Sequence, residues 1–467
     1  MASVATSPRR CRGCLMLPSL LRRLLRRPHR PSGAGQDIPG VKDCIRALKA
    51  GKLDEAVRCF RDYLAQNPDD AAAYNNLGVA LQRQGRPTDA LACYEAAVRI
   101  APAGADGWYN AAVIHHLGRN FAEAQRCYRA ALEADPTHAE AHREYSMLRL
   151  ARGEFAPEVW ASFRHRRRCD GFEPSSTRCS APDWDGESLD SKRVLVFGEQ
   201  GLGDEILYAS CYSDLIARAE GCVIETESRL ERLFQRSFNS ATVWGRERTT
   251  ELDPLYAGIA YRVASGDLPL YFRPTPQAFP VRRAYLRADA GAVERWKSRL
   301  SALGTGLKVG ISWQGGTPRT NRSGRSIGVD EWRPVLRIPG VHFVSLQYGD
   351  CREDLAHVRD GIGIPLHHWA EAIDTDYDET AGLVCALDLV ITVTTSVAHL
   401  AGALGQTAWI VTNIAPRWCY LSAGSTTPWY PSARIFRQTR PGAWDDVMQQ
   451  VAEQLAEKVT GRRGDAR

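Results

Sequence analysis

The 467-residue sequence contains no run of about 18 consecutive apolar residues, which excludes an ordinary membrane-spanning helix. Acid is missing from the first 36 residues, which carry eight arginines and no aspartate or glutamate. The rest of the chain holds 52 basic and 54 acidic residues, so the formal net charge of +6 belongs to this tail and the remainder is near neutral. A neutral body argues against nucleic acid as a partner. The tail lacks a secretory cleavage site, and arginines interrupt its apolar segment. It reads as a disordered basic extension or a start codon placed too far upstream, with organelle targeting or anionic-surface binding as alternatives. The thirteen cysteines are odd in number and have no disulfide-framework spacing. Cys11-x-x-Cys14 has no second pair to complete a zinc site. A reducing, cytoplasmic compartment fits this usage best. The dinucleotide fingerprint G-x-G-x-x-G is also missing, which speaks against a nicotinamide-dependent oxidoreductase.

A period of 34 residues is present. It links Pro68, Pro102 and Pro136, and likewise Ala56, Ala90 and Ala124. Phe60, Tyr94 and Tyr128 follow the same step, as do Cys59, Cys93 and Cys127. Gly51 and Gly85 keep it too, with Tyr74 and Trp108. Small residues that let helices approach, aromatics that fill between them and prolines that stop them resemble the tetratricopeptide repeat, a helix–turn–helix unit. Three full repeats and a modified capping hairpin, with Gly153 in phase and Glu158 where alanine is expected, predict a helical solenoid over residues 37–155. Its groove would bind a polypeptide partner, or the array would act as a spacer or dimerisation surface. The repeat cysteines fall in core-facing positions and need no redox role.

Beyond a linker at 156–188 the texture changes. "KRVLVFGEQG", "GCVIETE", "LKVGISWQGG", "VHFVSLQYG" and "LDLVITVTT" are short β-rich runs with helical stretches between them. Such alternation predicts parallel sheets covered by helices, in two domains at 189–290 and 291–467. The proline-rich segment 266–280 is the expected hinge. Ligands of such sheets bind beyond the carboxyl ends of strands, which directs attention to three places. One is the turn Gly198–Asp204, with its unusual G-x-x-G-x-G spacing. Another is the loop 312–327, where Arg319, Arg322 and Arg325 stand on glycine- and hydroxyl-rich chain suited to closing over anions. The third is 394–405, where Thr394, Thr395 and Ser396 open an apolar helix and His399 lies one turn in. Free N–H groups and hydroxyls there suit phosphate, or simply cap a buried helix.

The blocks "PDWDGESLDSKRVLVFGEQGLGDEI", "SGDLPLYFR", "VGISWQGG", "NRSGRSI", "VSLQYG" and "YDETAGLVCALDLVITVTTSVAHLAGALG" together resemble bacterial tetratricopeptide-repeat glycosyltransferases. Their catalytic half is similar to the ADP-heptose:lipopolysaccharide heptosyltransferases (glycosyltransferase family 9-like). The resemblance implies a GT-B fold, two Rossmann-like domains facing a cleft, with the nucleotide-sugar donor on the C-terminal one. It implies inverting, metal-independent transfer to an acceptor hydroxyl and no cofactor beyond the donor. Asp204 falls on the family's base position, or is only a helix-capping acid, with Glu199 as reserve. Gly201 and Gly203 would shape the acceptor-side loop. Trp313, Gln314, Arg325, Thr395, Ser396 and His399 fall on donor-binding positions. Thr394 departs from the family, which has an aspartate there. The acceptor recruited by the repeats would be a protein such as flagellin, another surface component or a glycan. The alternative is a repeat scaffold whose GT-B half is catalytically silent.

Overall fold

The computed structural model describes residues 40–169, 172, 179–246, 256–316, 322–373 and 376–465. The basic tail, the Cys11–Cys14 pair and Arg319 lie outside the described residues. The chain forms two compact units, one centred on residues 40–148 with 165–169, the other on 149–164 and most of the chain from 179 onward.

The first unit is a row of antiparallel helices: α1 (Val41–Lys49), α2 (Leu53–Gln66), α3 (Ala71–Arg83), α4 (Pro87–Ile100), α5 (Ala105–Leu117), α6 (Phe121–Ala134) and α7 (Ala139–Ala151). Ala56, Ala90 and Ala124 are completely buried, as are Phe60, Tyr94 and Tyr128, so the period-34 columns are the packing positions. A methyl added at Gly78 would sit 2.5 Å from the Tyr94 ring, so the absent side chain is what lets α3 and α4 close together. Gly51, Gly85 and Gly153 turn the chain in the left-handed region, with φ of 72°, 77° and 83°. The same step lands on Arg119, which adopts φ 61° without the freedom of glycine. The repeat cysteines do not behave alike. Cys127 is a buried free thiol and Cys93 a half-buried one, but Cys59 is disulfide-bonded to Cys44 and joins α1 to α2. This corrects the expectation that these cysteines carry no redox chemistry. Cys44 lies in no repeat column, so the period gave no sign of its partner.

The second unit begins with α8 (Pro157–Phe163) and holds two all-parallel sheets. The first has the order β3 (Thr242–Gly245), β2 (Gly221–Thr226), β1 (Arg193–Phe197), β4 (Ile259–Ala264). The second runs β10 (Ala433–Arg437), β9 (Ala408–Thr412), β8 (Leu389–Val393), β5 (Leu307–Ser312), β6 (Val341–Ser345), β7 (Leu366–His368). In both, the chain starts near the middle and moves outward in two directions, the doubly wound pattern expected of GT-B halves. The strands read from sequence are β1, β2, β5, β6 and β8; three of these, β1, β5 and β8, are central and almost wholly apolar. β4, only its last two residues buried and with Arg262 in its middle, was not among the strands read from sequence. The proline-rich segment expected as a hinge is packed rather than open. Asp267 and Arg273 are buried, and Phe279 meets Trp429 edge to face at 4.9 Å. No helix among the described residues is long and apolar enough to cross a membrane.

Candidate active site

The turn after β1 leads into the short helix α9 (Leu202–Tyr208). Each glycine in it has a separate reason. Gly198 makes room for an ion pair, because a side chain there would collide with the Glu205 carboxyl group and stand 2.6 Å from Arg246 Nη1. Glu205 is fully buried, accepts hydrogen bonds from the Thr226 hydroxyl (2.6 Å) and the Glu227 amide (3.0 Å), and pairs with Arg246. Burial pushes its carboxyl upward, against the opposing pull of Arg246. Gly201 precedes the helix and faces open space. Gly203 does not: a methyl there would lie 2.8 Å from His399 Cδ2 and 3.6 Å from Ser396 Cα. Gly203, expected to shape the acceptor-side loop, is instead packed against α13 (Ser396–Ala403), the helix after β8. Glu199 is buried, at 1% exposure.

Asp204, only 7% exposed, points from α9 to the guanidinium of Arg417, whose Nη2 donates to Asp204 Oδ1. This ion pair joins the four-stranded half to the six-stranded half. Arg417 was not among the residues singled out from sequence. It lies on the loop after β9, beyond the carboxyl end of a parallel strand. The rule that flagged the other loops would have found it, had "AWIVT" been read as a strand.

On the six-stranded half, Arg325 donates through Nε to the Thr394 hydroxyl (3.2 Å) and through Nη2 to the Thr394 carbonyl. The threonine at the departing position is thus the anchor of the loop arginine. Thr395 caps α13, accepting from the Val397 amide at 3.1 Å, and shares a hydroxyl contact of 3.2 Å with Thr392. Ser396 Oγ accepts from the Tyr377 hydroxyl. His399 is 2% exposed, with Nδ1 2.7 Å from the Tyr430 hydroxyl and Nε2 3.1 Å from that of Tyr420. Burial, reinforced by Arg417 and Arg325, holds its pKa well below the ordinary imidazole value. In this arrangement the Thr395 hydroxyl and both His399 nitrogens are taken up inside the protein, so they position the site and are not open donors to a phosphate.

Trp313 also departs from expectation. It is 1% exposed in the core of the six-stranded half, with Nε1 donating to Asp354 at 2.7 Å. Gln314 donates to the same carboxylate at 2.8 Å. Gln347, from the "VSLQYG" block, accepts from the amides of Trp313 (3.1 Å) and Gln314 (2.9 Å) and donates to the Gln314 carbonyl (3.1 Å). The pair therefore fixes the loop after β5 from inside. Where side chains of both halves face each other, a cavity of about 460 Å³ is lined by Ser228, Arg229, Arg232 and Asp376. In the helical unit, ligand atoms of His115, Glu123 and Cys127 lie within 4.8 Å of one another. Glu123 already pairs with Arg126 at 2.8 Å, and burial keeps the Cys127 thiol protonated by raising its pKa, which fits neutral packing better than metal.

Comparison with known proteins agrees with the repeat reading of the helical unit. The tetratricopeptide repeat model matches residues 45–105, 80–124 and 117–165. Protein FlbA of Caulobacter vibrioides is 31% identical over 465 residues, covering 88% of this chain and 76% of that protein. Among solved structures, the ADP-heptose lps heptosyltransferase II of E. coli has 17% identity and a TM-score of 0.43. The match covers 58% of this chain and all of that one. An O-GlcNAc transferase of Thermobaculum terrenum has 14% identity and a TM-score of 0.31, covering 90% of this chain and 91% of that one.

Proposed function

We propose that this chain, which belongs to the same family as Caulobacter vibrioides protein FlbA, is a glycosyltransferase that moves a sugar from a nucleotide-activated donor to an acceptor hydroxyl. One observation carries the reading. A nearly buried carboxylate and two arginines, from loops at the carboxyl ends of strands in both parallel sheets, converge where the halves meet. That is where doubly wound sheets bind their ligands, and the combination suits an oxygen nucleophile on one side and a phosphate on the other.

In this reading Asp204 takes the proton of the acceptor hydroxyl as its oxygen attacks the anomeric carbon. The bond from that carbon to the donor's phosphate oxygen breaks on the opposite face, and its electron pair leaves with the nucleotide. Inversion follows from the single displacement. Arg325 stands for the cation that meets the departing phosphate, without a metal ion or further cofactor. Thr395 and His399 hold α13 and its N–H groups in place. The repeats recruit the acceptor, a protein such as flagellin or another surface component, and the reaction belongs to the cytoplasm, where nucleotide sugars are made available.

The competing reading is a scaffold with a silent second unit. The hydrogen bonds from Arg325 to Thr394, where the resembling family has an acid, favour it. Thermal melts of the full chain with nucleotides and nucleotide sugars separate the two. A ligand at a hundredfold excess over its Kd adds about 2.7 kcal/mol of stability. Transfer activity requires that at least one nucleotide sugar raise the melting temperature; no rise with any of them supports the scaffold.

A further inference from the structure

We propose that Arg417 is a two-position switch. It holds Asp204 in an ion pair until the donor's phosphate arrives, then moves onto that phosphate and leaves the carboxylate free to act as base. The inference rests on the transfer reading above and concerns the order in which that site becomes competent.

The bonding pattern around the pair is lopsided. Among the described residues, Arg417 is the only hydrogen-bonding partner of the Asp204 carboxylate. Arg417 carries five N–H donors and uses one of them there. Its side chain is 28% exposed. A fixed buried strut would be expected to have those donors satisfied. Charge is lopsided as well. Arg417 and Arg325 press on each other electrostatically, and the nearby carboxylate of Asp204 balances only one of them. His399 stays neutral between its two tyrosines, so it adds no anion. The cluster carries two guanidinium charges against one carboxylate, which suits an anion that the two can share, and a nucleotide phosphate is of that kind.

The exchange has a chemical consequence. While Arg417 donates to it, Asp204 Oδ1 is occupied and cannot accept the hydrogen of an acceptor hydroxyl. When Arg417 leaves, that oxygen is open to the acceptor hydroxyl at the moment its proton must be taken. Arg417 meanwhile adds its charge to that of Arg325 on the departing phosphate. The base is withheld until the donor is seated, and the donor binds before the acceptor.

Calorimetric titration of the full chain with ADP, GDP, UDP, CDP and CMP tests this in the wild type, Asp204→Asn, Arg417→Lys and Arg417→Ala. The switch requires that removing the competing carboxylate tighten the best nucleotide. Asp204→Asn should bind it about fivefold more strongly than wild type, the worth of a partly exposed ion pair. Arg417→Ala should weaken it by at least about tenfold, with Arg417→Lys in between. Unchanged or weaker binding by Asp204→Asn, with nucleotide still bound by the wild type, makes the pair a fixed strut and overturns the switch while leaving the transfer reading intact. Absence of binding by both wild type and Asp204→Asn overturns the two together. If Arg417→Ala does not fold, the isosteric Asp204→Asn and the charge-retaining Arg417→Lys decide the question.

Discussion

His399 illustrates how a residue can be right in position and different in role. It was expected to donate to a phosphate because it lies one turn into a helix that opens with three hydroxyl residues. In the structure its ring lies between Tyr420 and Tyr430, out of contact with solvent, and is held neutral. A sequence gives the place of a residue along a helix, but the direction of its ring depends on what packs against that helix. Both tyrosines arrive from a segment beyond β9. The buried state has a measurable consequence. Because the folded pKa lies below the ordinary value of 6.5, the unfolded chain binds the proton more readily. The stabilisation is present above about pH 6.5 and is lost as pH falls from there toward the folded value. Denaturant melts between about pH 5 and 7 should show stability falling on acidification, more steeply in wild type than in His399→Asn. Equal slopes would mean that His399 is not held neutral. Trp313 repeats the lesson, since its position after β5 was visible and its direction, into the core, was not.

Elements were more legible than side-chain directions. The 34-residue step identified the packing columns because every repeat solves the same helix-to-helix contact with the same residue types. The exceptions are also informative: Arg119 keeps the left-handed turn without glycine, and the Cys44–Cys59 bond uses a cysteine outside the columns. Central strands such as β1 and β8 were legible as short, largely apolar runs, while β4, mostly half-buried with Arg262 in its middle, was not read. What the sequence did not disclose was the approach of α9 to α13, because two segments nearly two hundred residues apart share no local signal. Gly203 is the contact point of that approach. Gly203→Ala should cost about 1–3 kcal/mol through overpacking against His399, and it should displace Asp204 from Arg417. Chemical denaturation measures the first effect. A variant as stable as wild type would show that the two helices have slack between them.

At the scale of the whole molecule, a repeat unit and a doubly wound α/β unit occupy one chain, in a family that includes FlbA. The first unit is an array of tetratricopeptide repeats, and the α/β unit brings carboxylate and guanidinium groups together from both of its sheets. The candidate site could be read only in part from local sequence because its residues come from separate loops of both sheets. Asp204 and Arg325 each follow a strand that was recognised, whereas Arg417 follows one that was not, and the chemistry arises from their meeting. The account therefore depends on Asp204 being a working base and not merely the acid at the start of a helix. The most direct test is sugar transfer, followed as nucleotide release from a donor shown to bind, in wild type and in Asp204→Asn. The account expects the variant to keep binding the donor while its turnover falls by about a hundredfold or more. Turnover equal to that of the wild type, with the donor bound, would contradict it.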